Sequence, residues 1–89
     1  MKNSKEAVTI TIGSAVIRRI NELCGERGIT VNKLANISGV TQSTLSNITN
    51  GRNNSTTVAT IQKICDGLNI GIKDFFNSPL FDNIEQEVK

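Results

Sequence analysis

The spacing of apolar residues changes near residue 12, from every second position to the spacing of an α-helix. Val8 and Ile10 alternate with threonines, a pattern typical of a short extended segment, so residues 1–11 are predicted to form an N-terminal arm. The first helix is predicted to end near Gly28, because glycine readily takes the left-handed conformation found at helix C-termini. The apolar positions that share one face of this helix are Ile12, Val16, Ile20, Leu23 and Cys24.

Two shorter helices follow, joined by only a few residues. Thr30 is a favourable N-cap, and apolar residues then continue at helical spacing up to Gly39, which is expected to end the second helix. Thr41 is predicted to cap a third helix that runs to Asn50 and ends at Gly51. Two short helices with so short a connection predict a helix–turn–helix.

Two further helices complete the predicted fold, which is all-α. The fourth helix is expected to end within residues 67–71, and a short fifth helix follows before Pro79 interrupts the chain. Residues 12–76 are therefore predicted to form a compact five-helix domain, and residues 77–89 an acidic C-terminal extension. The apolar positions that mark helices four and five are Val58, Ile61, Ile64, Cys65, Leu68, Ile72, Phe75 and Phe76.

Length and composition fit one small domain with an aliphatic core. The chain has 89 residues, of which 37% are hydrophobic, with three Phe and no Trp or Tyr. No apolar run is long enough to span a bilayer and no secretion signal is evident, so the protein is expected to be cytoplasmic. Cys24 and Cys65 lie among apolar residues and are expected to be buried, reduced thiols. No metal or other cofactor is expected, because the chain has no histidine, no CxxC pair and no phosphate-binding loop motif. An enzymatic activity is not expected either, because histidine, the usual general base, is missing and residues 27–65 contain no carboxylate.

Charge is distributed unevenly along the chain. Residues 27–65 contain four basic residues and no Asp or Glu, whereas the whole protein has a net charge of only +2. The remainder of the chain therefore carries a net negative charge. A surface with cations and without carboxylates favours binding to a polyanion such as DNA, because bound phosphates release counterions and carboxylates would repel them.

The third helix has an outer face made only of amides and hydroxyls. On a helical wheel, five uncharged polar residues occupy one continuous arc, and Leu45 and Ile48 point the opposite way. Short groups that donate and accept hydrogen bonds suit contacts with base edges in the major groove. The alternative is that this face only reflects the composition of a chain that contains 11 Asn. The residues of the polar arc are Gln42, Ser43, Ser46, Asn47 and Asn50.

Residues 30–52 resemble the helix–turn–helix of the lambda-repressor-like (Xre/Cro) family. The pattern that carries the resemblance is Leu34-Ala35, a glycine and an apolar residue in the turn, and Asn50-Gly51-Arg52 after the third helix. The similarity extends over residues 12–76, and it implies a compact five-helix lambda-repressor-like DNA-binding domain. Two positions differ from the pattern of many relatives, which have Gln at the position of Val31 and Glu at the position of Thr49.

The resemblance implies roles for individual residues. Gln42, Ser43 and Asn47 are expected to contact bases. A second group is expected to contact the DNA backbone: Thr30, Thr41, Thr44, Ser46, Asn50, Arg52 and Asn53. A third group is expected to form the core of the motif: Leu34, Ala35, Gly39, Val40, Leu45 and Ile48. The residues left undecided between DNA contact and another role are Arg18, Arg19 and Lys33.

The sequence thus predicts a regulator of transcription that binds double-stranded DNA in a sequence-specific way. It is expected to repress, or less often to activate, as a homodimer on a two-fold operator, because one small module covers little DNA. An alternative is an antitoxin or accessory module whose acidic tail, residues 81–89, binds a protein partner. Three apolar residues beyond the fifth helix are candidates either for a dimer contact or for packing on their own domain: Leu80, Phe81 and Ile84.

Overall fold

A computed structural model describes residues 9–51, 56–86 and 88 of the chain, and the described residues fold into α-helices as predicted. The helices in chain order are α1 (Ile12–Arg27), α2 (Val31–Ser38), α3 (Gln42–Thr49), α4 (Val58–Leu68) and α5 (Ile72–Phe76), followed by one turn of 3₁₀ helix (Pro79–Phe81). Within the described ranges, no helix is long and apolar enough to cross a membrane.

Threonine caps the N-terminus of each of the first four helices. The hydroxyl oxygens of Thr11, Thr30, Thr41 and Thr57 each accept a hydrogen bond from the backbone N–H three residues later, at 3.1 Å. Each bond satisfies one of the N–H groups that a helix leaves without an intrahelical acceptor. The first helix begins directly after Thr11, a cap that the alternating pattern of residues 8–12 did not indicate.

Left-handed residues end three of the helices. Gly28 and Gly39 follow α1 and α2 with φ of 63° and 69°, at the positions where the sequence predicted helix ends. The end of α4 lies within the predicted region but uses a different residue: Asn69 takes the left-handed conformation, with φ of 58°. Asparagine tolerates this conformation better than other residues with a side chain.

The core lies where α1, α2, α3 and α4 meet, with α5 closing one end. α4 packs against α2 and α5, and α1 contacts α2 and α3. Ile12, which the helical pattern placed on the buried face of α1, is 36% exposed because it occupies the first turn of the helix. The core residues are Val16, Ile20, Leu23, Cys24, Leu34, Ala35, Leu45, Ile48, Ile61, Ile64, Cys65, Leu68 and Phe75.

Both cysteines belong to this core and are free thiols. Burial raises the pKa of Cys24 and of Cys65, and the carboxylates of Asp66 and Asp74 raise the pKa of Cys65 further. A raised pKa keeps a thiol in its neutral, unreactive form. The two cysteines therefore act as small apolar residues, as expected from their neighbours in the sequence.

The two ends of the described chain meet beside α1. Ile10 pairs with Ile84 in a parallel bridge, in which Ile10 N–H donates to the carbonyl of Asn83 (3.2 Å) and Glu85 N–H donates to the carbonyl of Ile10 (2.8 Å). Phe81 packs against the core from the 3₁₀ turn. Phe81 thus packs on its own domain, and Ile84 pairs with Ile10 of the N-terminal arm. Residues 1–8 of the predicted arm lie outside the described part of the chain.

Arg19 holds α5 against α1. Its guanidinium donates to the last carbonyls of α5, Nε to Phe75 (2.7 Å) and one terminal nitrogen to Asp74 (2.8 Å), while the other terminal nitrogen pairs with the carboxylate of Glu22. The Arg19 side chain is only 11% exposed. Its position resolves the role that the sequence left open: Arg19 caps the C-terminus of a neighbouring helix.

Candidate nucleic-acid interface

The third helix is held by its apolar side and exposes its polar side. Leu45 is 0% exposed and Ile48 is 2% exposed, and both belong to the core. Gln42, Ser43 and Asn47, the three residues expected to contact bases, are all exposed. The structure thus brings these three side chains together on one outward face of α3, where a major groove can admit a helix.

The N-terminal turns of α2 and α3 are free of acidic residues. In many helices the third residue is Glu or Gln, which completes a capping box. Here Lys33 and Thr44 occupy those positions, and the Thr41 hydroxyl donates to the hydroxyl oxygen of Thr44 at 2.7 Å. The positive end of each helix dipole is therefore not neutralised by a carboxylate, an arrangement that favours a phosphate nearby. Thr30, Thr41 and Thr44 are exposed at these two ends.

The C-terminal end of α3 has an ordered polar surface. Asn50 follows the helix with φ of −85° and ψ of 0°, and its side-chain amide donates to the hydroxyl oxygen of Ser46 at 3.2 Å. Ser46 is half-buried, whereas Asn50 is exposed. Ser46 is thus less exposed than the other described residues expected at the DNA backbone, which are Thr30, Thr41, Thr44 and Asn50. Arg52 and Asn53 lie outside the described residues.

Thr49 stands where many relatives have Glu. Its hydroxyl donates to the carbonyls of Leu45 (3.1 Å) and Ser46 (3.3 Å), so the side chain is occupied within its own helix. With Thr instead of Glu at position 49, this end of α3 carries no carboxylate, and the net charge of residues 27–65 stays positive.

The turn between α2 and α3 forms as predicted. Leu34 and Ala35 are buried, and Gly39 reverses the chain with φ of 69°. Val40 is half-buried and packs against the core, and its N–H donates to the carbonyl of Ala35 at 3.1 Å. Val31, the other departure from the family pattern, also packs against the core and contributes apolar contact where many relatives have an amide.

The absence of carboxylates distinguishes α2 and α3 from the remainder of the described chain. The described carboxylates lie on α1, at the end of α4, on α5 and in the C-terminal segment: Glu22, Glu26, Asp66, Asp74, Asp82 and Glu85. α2 and α3 contribute none. The separation of charge that the sequence showed along the chain is therefore also a separation between helices.

Two short helices joined by a tight turn, with the second exposing a strip of uncharged polar side chains, define a helix–turn–helix DNA-binding protein. The chain belongs to the Cro/C1-type HTH DNA-binding domain family, whose model matches residues 19–79. This membership confirms the predicted lambda-repressor-like fold and the predicted class, a DNA-binding regulator of transcription.

Solved structures of similar proteins agree with this assignment. Prophage Lp1 protein 11 is 36% identical with a TM-score of 0.71, over 78% of this chain and 91% of that one. The restriction–modification controller protein C.Esp1396I is 26% identical with a TM-score of 0.66, over 72% of this chain and 81% of that one. A point mutant of the controller protein matches equally well. No curated protein sequence matches the chain at a significant level.

Proposed function

We propose that this protein is a transcriptional repressor that binds a two-fold operator as a homodimer. Gln42, Ser43 and Asn47 contact base edges in the major groove. Thr30, Thr41, Thr44, Ser46, Asn50, Arg52 and Asn53 contact the backbone.

The observation that carries this proposal is the two-sided construction of α3. An ordinary solvated helix face carries charged side chains of both signs, and DNA phosphates repel its carboxylates. On α3 the exposed residues are amides and hydroxyls, and amides of Gln and Asn can bond to adenine through two hydrogen bonds. Because Leu45 and Ile48 are fully enclosed, the polar face is presented in one fixed orientation.

The length of α3 supports the homodimer. Eight residues at a rise of about 1.5 Å span about 12 Å, or three to four base pairs of duplex. So short a contact cannot distinguish one operator from the many similar sites in a genome. Two copies related by a two-fold axis, with half-sites about one helical turn apart, double the number of bases that are contacted. Similarity to a restriction–modification controller protein also supports a regulatory role.

The alternative, an antitoxin or accessory module, has less support. It requires the C-terminal segment to bind a partner, but Phe81 already packs on the core and Ile84 is paired with Ile10. Both residues are half-buried, so contacts within the chain already use part of the apolar surface that a partner would need.

The test begins with a selection of bound fragments from the source genome, followed by fluorescence anisotropy on the selected site and on random duplex. We expect Gln42→Ala to cost about 1 to 3 kcal/mol on the selected site and little on random DNA, because a base contact carries sequence information. Arg52→Ala should weaken both complexes alike and reduce the salt slope by about one, as for a phosphate contact.

The matched control is Gln62→Ala, which removes the same exposed amide from α4 and should leave both affinities unchanged. Equal losses on the two duplexes for Gln42→Ala would refute base contact by this residue. Sedimentation of the complex should find two chains for each operator. A complex with one chain on an intact operator would refute the homodimer.

A further inference from the structure

The end of α3 carries a sequence that is prone to a spontaneous chemical change. Asn50 is followed by Gly51, and no other asparagine of the chain precedes a glycine. In an Asn-Gly pair the backbone nitrogen of glycine can attack the side-chain carbon of asparagine, because glycine has no side chain to obstruct the approach. The remaining asparagines precede residues with side chains, and Asn47, on the same helix, precedes the branched Ile48.

The reaction converts an amide to a carboxylate. The nitrogen of Gly51 forms a bond to Cγ of Asn50 and gives up its proton to water. The bond from Cγ to the side-chain nitrogen breaks, and the NH2 group takes a proton from water and leaves as ammonia. The product is a cyclic imide. Water then opens the ring at one of its two carbonyls, which yields either Asp at position 50 or its isomer linked through the β-carboxyl. Each product carries one additional negative charge at neutral pH.

Three hydrogen bonds oppose this reaction in the folded protein. The amide of Asn50 donates to the hydroxyl of Ser46 (3.2 Å), and the N–H of Asn50 donates to the carbonyl of Ser46 (2.9 Å). The N–H of Gly51, which must lose its proton to react, donates to the carbonyl of Ile48 at 3.1 Å. The attack therefore requires this end of the helix to open, and helix ends are the places where local opening costs least.

The location gives the change a consequence. The new carboxylate would stand within residues 27–65, which otherwise contain no Asp or Glu, and at the end of the helix that faces DNA. A negative charge beside a phosphate is repelled, and the repulsion weakens as salt screens it.

We propose that Asn50-Gly51 is a deamidation site that weakens DNA binding when it reacts, and that Ser46 slows the reaction by holding the Asn50 amide. This inference rests on the proposed function for its effect on DNA, but the chemical step does not. Ser46 is then a positioning residue for Asn50.

The chemical step is tested by incubating the intact protein at mildly alkaline pH and following each asparagine by peptide mass spectrometry. Asn50 should react while Asn47 stays unchanged, and denaturant should speed the reaction at Asn50 several-fold. Ser46→Ala should accelerate it about twofold to tenfold, the range expected for the loss of one net hydrogen bond. Ser46→Thr, which keeps the hydroxyl, should react at the wild-type rate. Equal reaction at Asn50 and Asn47, or a Ser46→Ala variant no faster than wild type, would overturn this part.

The effect on DNA is tested with Asn50→Asp, which imitates one product, and with the neutral Asn50→Ala. Asn50→Asp should bind the operator about tenfold more weakly than wild type at low salt, and this deficit should shrink as salt is added. The deficit of Asn50→Ala should depend much less on salt. If Asn50→Asp binds like wild type while Gln42→Ala loses specificity, the inference fails and the proposed function stands. If neither Asn50→Asp nor Gln42→Ala changes binding to the operator, the proposed function fails as well.

Discussion

Gly67 of α4 lies directly against the end of α2, and its substitution offers a stringent test of the packing. A Cβ added to Gly67 would lie 2.5 Å from the hydroxyl oxygen of Ser38, and 2.9 Å and 3.0 Å from the carbonyl oxygen and carbon of Ile37. The Ser38 hydroxyl can rotate, but the Ile37 carbonyl belongs to the backbone of α2. A side chain at residue 67 therefore forces the first helix of the helix–turn–helix to move.

The magnitude follows from two opposing contributions. Replacing glycine by alanine within a helix stabilises it by up to about 1 kcal/mol. Inserting a methyl group into a tightly packed contact costs about 1 to 3 kcal/mol. Subtracting the gain from the cost, we expect Gly67→Ala to lower the free energy of unfolding by up to about 2 kcal/mol, which lowers Tm by up to about 15 °C in a domain of this length.

Gly25 provides a matched control. It lies in the last turns of α1, and a Cβ added there would find no atom within 4 Å. Gly25→Ala should therefore raise the free energy of unfolding by up to about 1 kcal/mol. Both variants are compared with wild type by urea denaturation followed by circular dichroism. The reasoning is refuted if Gly67→Ala stabilises the protein as much as Gly25→Ala does.

Ser38 allows the contact itself to be measured. Its hydroxyl oxygen is buried and has no hydrogen-bond partner among the described residues, so Ser38→Ala should be neutral or stabilising. In that background Gly67→Ala should cost at least about 0.5 kcal/mol less, because the nearest obstructing atom has been removed. Part of the cost should persist, since the Ile37 carbonyl remains in place.

Two further predictions concern Arg19, which joins α1 to α5, and Gly39, which forms the turn between α2 and α3. Arg19→Met should lower the free energy of unfolding by about 2 to 3 kcal/mol, because it removes charge-assisted hydrogen bonds to two carbonyls of α5. Replacing the exposed Arg18 by Met should change this free energy by less than about 0.5 kcal/mol. Equal effects of the two variants in urea denaturation would show that Arg19 does not hold α5 against α1. Gly39→Val should cost about 1 to 2 kcal/mol from backbone conformation alone, because φ is 69° and a Cβ would meet nothing within 4 Å. Gly39→Asn should lower the free energy of unfolding distinctly less than Gly39→Val in the same experiment, because asparagine tolerates a positive φ better. Similar losses for the two variants would show that backbone conformation is not the cause.

The local features of the fold were predictable from the sequence. Thr30 and Thr41 cap helices and Gly28 and Gly39 end them, because capping bonds and left-handed turns depend on residues within a few positions of each other. The polar face of α3 was predictable for the same reason, since helical periodicity alone sets which side chains share a side. The base-contacting roles of Gln42, Ser43 and Asn47 stay predictions until binding is measured.

Contacts between distant segments could not be derived from spacing. The sequence did not distinguish Arg19 from the adjacent Arg18. In the structure Arg19 caps α5, whereas Arg18 is exposed. The way α1 packs against α5 decides which of the two side chains reaches the carbonyls of Asp74 and Phe75. Phe81 was equally suited in sequence to a partner or to its own core, and the path of the chain after α5 brings it against the core.

The sequence by itself determined the helices, the turn and the charge-free polar face, because each follows from interactions within one or two helical turns. Only the tertiary structure decided how closely α2 and α4 meet at Gly67, which arginine joins α1 to α5, and how Ile10 and Ile84 bring the two ends together. These contacts join residues far apart in the chain, and their geometry depends on all the side chains that pack between them.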